Sequence, residues 1–71
     1  MSKDHITVDG EVVEVLPNSL FRVKIQNDHI ITVYLSGRMR INSIKVLQGD
    51  KVKLEVSPYD LTKGRIIFRY K

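Results

Sequence analysis

Between Lys51 and Val56 the chain reads Lys-Val-Lys-Leu-Glu-Val, with charged and apolar residues in strict alternation. An extended strand points successive side chains to opposite faces, so Val52, Leu54 and Val56 share one side while Lys51, Lys53 and Glu55 share the other. The same period returns in Phe21, Val23 and Ile25, separated by Arg22 and Lys24. It returns again near the end of the chain, where Ile66 and Phe68 are expected to face a core and Arg65 and Arg69 the opposite side.

The segments between these strands carry turn chemistry. A first strand over about Ile6 to Leu16 shifts its alternation, from Ile6 and Val8 to Val13 and Val15. Gly10 between them is expected to mark a bulge or sharp coil. Leu16-Pro17-Asn18-Ser19 reads as a turn, with Pro presetting φ and Asn tolerating the third position. Asn27-Asp28 offers a tight hairpin turn. His29 to Leu35 is apolar on both faces, which suggests a central strand. Residues 36–49 interrupt the β pattern. Ser36 is placed to N-cap a helical turn over Gly37 to Asn42, one too short to be stable alone. Leu47-Gln48-Gly49-Asp50 turns the chain back, and Ser57-Pro58-Tyr59-Asp60 opens a loop that Gly64 ends. Five strands with a helical interruption between the third and fourth predict an all-β, five-stranded OB-fold barrel; an SH3-like barrel is the competing topology.

With 71 residues the chain is expected to form one domain over 1–71. A domain this size buries only about 60 % of its unfolded surface, which leaves little room for a deep catalytic cleft. A hydrophobic fraction of 42 % and a charged fraction of 28 % fit a folded chain rather than a disordered one. The absence of Cys removes disulfides and thiolate metal sites. No apolar run reaches membrane-spanning length and the first residues, Met1 to His5, are polar, so no membrane and a cytoplasm-like compartment are expected. The net charge of +4 is unevenly placed. Residues 1–37 carry three Lys/Arg against five acids, a net of −2, whereas residues 38–71 carry nine against three, a net of +6. That asymmetry favours a polyanionic partner over a merely solvated basic surface.

Catalysis finds no footing. His5 and His29 fall at a terminus and a hairpin tip, the carboxylates are scattered, and no Gly-rich phosphate loop is present. No enzyme activity, metal or cofactor is expected. The Gly37-Arg38-Met39-Arg40 segment is more informative, because Arg presents a planar fork of donors that grips phosphate or stacks on a base. Two arginines two apart on a helical turn point in different directions, and Met39 between them either wedges against a base or caps the barrel end. Both alternatives stand at this point. Arg22, Lys24, Tyr34, Lys45, Arg65 and Arg69 form a second candidate set on outward faces. Stacking platforms look scarce: with three Tyr, two Phe and no Trp, Phe21 and Phe68 are assigned to the core and Tyr59 to loop packing. Tyr34 reads as core cover sooner than as a stacking group. The pattern suits phosphate contacts on shaped RNA better than bases splayed across a sheet.

Three blocks resemble bacterial and plastid translation initiation factor one: Leu16-Pro17-Asn18-Ser19-Leu20-Phe21-Arg22-Val23; Ser36-Gly37-Arg38-Met39-Arg40 continuing through Ile44-Lys45-Val46-Leu47-Gln48-Gly49-Asp50-Lys51-Val52; and Ser57-Pro58-Tyr59-Asp60-Leu61-Thr62-Lys63-Gly64-Arg65-Ile66. They run in order and without insertions over nearly the whole chain. The resemblance implies an S1-like OB-fold, monomeric and non-enzymatic, in the aminoacyl-tRNA site of the small ribosomal subunit. There it would contact the decoding region of the ribosomal RNA and a neighbouring ribosomal protein, block premature tRNA entry and cooperate with the other two initiation factors. It implies that Arg38 and Arg40 enter the decoding helix while Arg22, Lys45, Arg65 and Arg69 line the RNA-facing side; Lys63, within the third block, is counted with them. The chain departs from the commonest pattern at Tyr34, Ile41, Ser43 and Lys45. Its compartment would be the cytoplasm, or the stroma for a plastid source. Two other readings of such a barrel are a single-strand chaperone of the cold-shock kind and a protein–protein adaptor.

Overall fold

Val and Ile dominate the alternating segments because their branched Cβ fits a pleated, half-buried surface, and each such segment is a strand. The computed structural model describes residues 5–42 and 44–70, without the Leu61 side chain. Met1–Asp4, Ser43 and Lys71 lie outside the described residues, so the expectations for the polar start of the chain and for Ser43 fall there too. The elements in chain order are β1 (Ile6–Leu16), β2 (Leu20–Lys24), a 3-10 turn (Gln26–Asp28), β3 (Ile30–Leu35), α1 (Gly37–Ile41), β4 (Lys51–Ser57) and β5 (Asp60–Arg69). The strands close a barrel in the order β1-β2-β3-β5-β4. Every pairing is antiparallel except the seam between β3 and β5, which is parallel. A barrel closed in this way, with a short helix between β3 and β4, has the OB-fold topology and not the SH3-like one.

β1 serves two neighbours, pairing with β4 through Ile6–Glu11 and with β2 through Glu11–Leu16. Gly10 lies beside the changeover because β1 and β2 cross there at close range. A Cβ on Gly10 would meet Cγ1 of Val23 at 2.5 Å and the Lys24 carbonyl at 3.0 Å. The bulge itself falls later, between Val12 and Glu14. Val12 is therefore the buried valine of this stretch, and Val15 turns outward. The core contains Val12, Phe21, Val23, Ile31, Val33, Val52, Leu54, Val56 and Ile66, as the alternation in β2 and β4 predicts.

The tight turns form where expected. Asn18 and Ser19 join β1 to β2 at φ of 65° and 61°, and Asn27 and Asp28 join β2 to β3 at 61° and 59°. Two successive positive-φ residues match the right-handed twist of the flanking strands, and Asn and Asp tolerate them better than most side chains. At Leu47–Asp50 the Asp50 carboxylate accepts from the Leu47 N–H at 2.8 Å, with Gly49 at φ 94°.

Four expectations are corrected. Phe68 does not face the core but is 52 % exposed, because the irregularity between Lys53 and Leu54 resets the register of β4 against β5. Pro58 and Tyr59 form only a tight turn, Tyr59 is exposed rather than a packing anchor, and β5 runs from Asp60 straight through Gly64. Gly64 is needed inside that strand, since a Cβ there would meet Cγ1 of Val56 at 2.6 Å and the Glu55 carbonyl at 2.9 Å. β3 is inserted between two strands, yet only its Ile31 and Val33 face inward, while Ile30, Thr32 and Tyr34 face solvent.

Candidate nucleic-acid interface

The helical turn depends on local hydrogen bonds. Ser36 is extended and its hydroxyl accepts from the Met39 N–H at 3.3 Å, which fills one of the donors a helix start leaves open. At the other end the Asn42 N–H reaches the carbonyls of Arg38 and Arg40. Met39 points into the barrel and is 2 % exposed. Of the two alternatives for Met39, the structure takes the cap: it closes the end of the core and does not stand between the arginines as a surface wedge. Arg38 and Arg40 remain exposed on either side of it.

The parallel seam places the next residues. Register matches Thr32 with Lys63 and Tyr34 with Arg65 across β3 and β5, Arg22 with Thr32 across β2 and β3, and Arg65 with Glu55 across β4 and β5. Arg22, Lys24, Tyr34, Lys63 and Arg65 therefore share one outer wall. A shallow groove of about 340 Å³ runs along it, lined among others by Thr32, Tyr34, Glu55, Lys63 and Arg65. A second groove, bounded by Ser36, Gly37, Arg38 and Ile67, shares Arg65 with the first, so the two meet at that guanidinium. Tyr34 stands in the wall at 46 % exposure, with a face available for stacking rather than covering the core.

The basic groups differ in freedom. Glu55 Oε1 accepts from both Nε and Nη2 of Arg65, at 2.9 and 2.6 Å, and fixes the plane of the guanidinium. Arg22 lies 3.5 Å from Glu14, and Lys24 3.9 Å from Asp28. These exposed pairs are loose, and a phosphate can compete for them at little loss, since such contacts contribute about 0–1 kcal/mol. Arg69 is set apart. It lines neither groove, and its Nε donates to Asp50 at 2.8 Å. That contact, together with the Leu47 N–H, which has the larger influence, holds the Asp50 carboxyl below the usual carboxylate range. Arg38, Arg40, Lys45 and Lys63 have no acidic partner among the described residues.

Glu55, Thr32 and His5 line the groove, and the sequence does not single them out as site residues. Only the alternation of β4 hints that Glu55 faces outward, and nothing in it shows which cation lies beside it. Phe68 stacks edge-on against Tyr70 at 5.3 Å between ring centres, away from both grooves. Among the described residues no group of three His, Asp or Glu side chains is placed to hold a metal ion, and no helix is long and apolar enough to cross a membrane.

Known proteins resemble this chain in sequence and in fold. The family model described as translation initiation factor 1A / IF-1 matches residues 1–71. The solution structure of translation initiation factor one from the Wolbachia endosymbiont strain TRS of Brugia malayi is 44 % identical, with a TM-score of 0.82 over 99 % of this chain and 83 % of that one. YjeQ from Thermotoga maritima, at 24 % identity and TM-score 0.74, covers 93 % of this chain and 23 % of its own. Translation initiation factor 5A from Methanococcus jannaschii, at 9 % identity and TM-score 0.66, covers 92 % of this chain and 44 % of its own. These last two likenesses show the fold alone. The blocks quoted from the sequence, the closed five-stranded barrel and the whole-length match place this chain in the translation initiation factor 1A / IF-1 family, a family of initiation factors and not of enzymes.

Proposed function

We propose that this chain binds the small ribosomal subunit at the aminoacyl-tRNA site by contacting folded ribosomal RNA, blocks premature tRNA entry and cooperates with the other two initiation factors. It acts as a monomer, as one OB domain in the cytoplasm or a plastid stroma, with a neighbouring ribosomal protein as a second contact. The observation that carries this reading is the continuity of the outer wall with α1. Arg38 and Arg40 stand without acidic partners among the described residues on a capped turn, and Arg38 adjoins the groove that contains Tyr34, Lys63 and Arg65. Three planar donor forks, those of Arg38, Arg40 and Arg65, and the point charge of Lys63 suit the phosphates of a shaped RNA. Arg22 and Lys24 extend the positive wall, and Lys45, exposed on the segment after α1, is counted with them. Met39 contributes from beneath, by holding the turn on the barrel.

The test is the double variant Arg38→Ala/Arg40→Ala. It keeps the parent's unfolding curve, because both side chains are exposed, and loses small-subunit affinity. The slope of log K against log salt becomes shallower by about one unit for each phosphate contact removed. A double variant that binds small subunits as tightly as the parent would refute the assignment. A single-strand chaperone role is the weaker reading. Of the outward aromatics only Tyr34 lies on β2 or β3, where such a binder needs several.

A further inference from the structure

Ile41 is 82 % exposed, although it is among the most apolar residues of the chain. Its position is not incidental to α1. A helix turns about 100° per residue, so with Met39 directed into the barrel, Ile41 lies about 200° around the axis and points away from it. On the same count Arg38 is about 60° from Ile41 and Arg40 about 100°, one on each side. The Ser36 cap and the Asn42 N–H fix both ends of the turn. An isoleucine in a helix has essentially one χ1 rotamer, so little side-chain freedom is left for a ligand to remove. The tip of α1 is thus a stiff apolar knob between two cations that have no acidic partner among the described residues.

We infer that Ile41 is a wedge that seats against a base face or the ribose edge of a folded RNA while Arg38 and Arg40 take the phosphates on either side. The inference rests on the reading of α1 as an RNA contact and adds to it the apolar half of the recognition. The wide, shallow minor groove of A-form RNA exposes sugar and base edges between two phosphate rims, and apolar side chains flanked by Arg or Lys are used in this way at nucleic-acid grooves. A protein pocket for Ile41 would need two acids beside it to match the arginines, whereas an RNA groove brings its own anions. RNA is therefore the occupant that both the charge and the shape favour.

The chain contains no Cys, so Ile41→Cys carries a unique thiol. Coupled to a benzophenone and irradiated on intact small subunits, it is expected to attach to ribosomal RNA. In parallel, Ile41→Ala is expected to bind small subunits about tenfold more weakly with the salt slope unchanged, because no phosphate contact is lost. An adduct on a ribosomal protein overturns the wedge, and so does an Ile41→Ala variant with the parent's affinity. If Ile41→Ala binds normally while Arg38→Ala/Arg40→Ala does not, the wedge is wrong and the proposed function stands. If the arginine variant also binds normally, the function falls and the wedge with it.

Discussion

Met39 and Ile41 are two positions apart on one helical turn, and their environments are opposite. Met39→Ala is expected to destabilise the protein by about 2–5 kcal/mol in urea unfolding, the usual range for emptying a buried site of that size. Ile41→Ala should shift the curve by less than about 0.5 kcal/mol. In the sequence Met39 is equally wedge or cap, because five helical residues have no phase until their contact with the barrel is known. Phe68 escapes the sequence pattern for a related reason: opposite Lys53 and Leu54, Ile67 is an extra residue in β5 and inverts the side on which Phe68 emerges, and the apolar run Ile66-Ile67-Phe68 does not show which residue is the extra one. Asp50 gives a pH test. Its carboxyl titrates below the usual range in the folded chain because the Leu47 N–H and Arg69 hold it ionised. The stabilisation is therefore complete above that range, at neutral pH, and is lost as the pH falls below about 4. Asp50→Asn should be less stable than the parent at neutral pH, with the gap narrowing as the pH falls below the usual carboxylate range in chemical denaturation.

At the scale of the elements, the inward faces of β2 and β4 are legible in the sequence, although Ile25, read with β2, falls just beyond its end and Ser57, read as part of a loop, closes β4. β5 is only half legible. Pro58, Tyr59 and Gly64 carry turn-like chemistry, but Gly64 is in mid-strand because neighbouring backbone passes where a Cβ would sit. Gly64→Ala is accordingly expected to cost about 1–3 kcal/mol, the range for overpacking a dense core, read as a lower urea midpoint with an unchanged slope. The capped turn follows from Ser36 alone, because a hydroxyl before a short helical run has few other uses. Its link to β3 and β5 does not. The Ser36 N–H donates to the Ile66 carbonyl at 3.0 Å, which anchors the turn to the strand that carries Arg65.

For the whole molecule, strand number and the place of the helix can be read from the sequence, and the OB topology follows from them once the pairing is seen. The wall itself is not readable, since Tyr34 and Arg65 become neighbours only through the parallel register of β3 and β5. Charge on that wall should matter more than charge elsewhere. Lys63→Ala is expected to reduce the salt slope of small-subunit binding by about one unit, while Lys53→Ala, which lines neither groove, leaves it unchanged. The β3–β5 seam also has a consequence in time. During synthesis, strands β1 to β3 can emerge and pair, but the wall has only one of its two flanks until Ile66 has left the exit tunnel. A nascent or truncated chain that stops short of this point lacks one side of the wall, so on the proposed function it is expected to bind small subunits weakly until the last strand has joined the sheet.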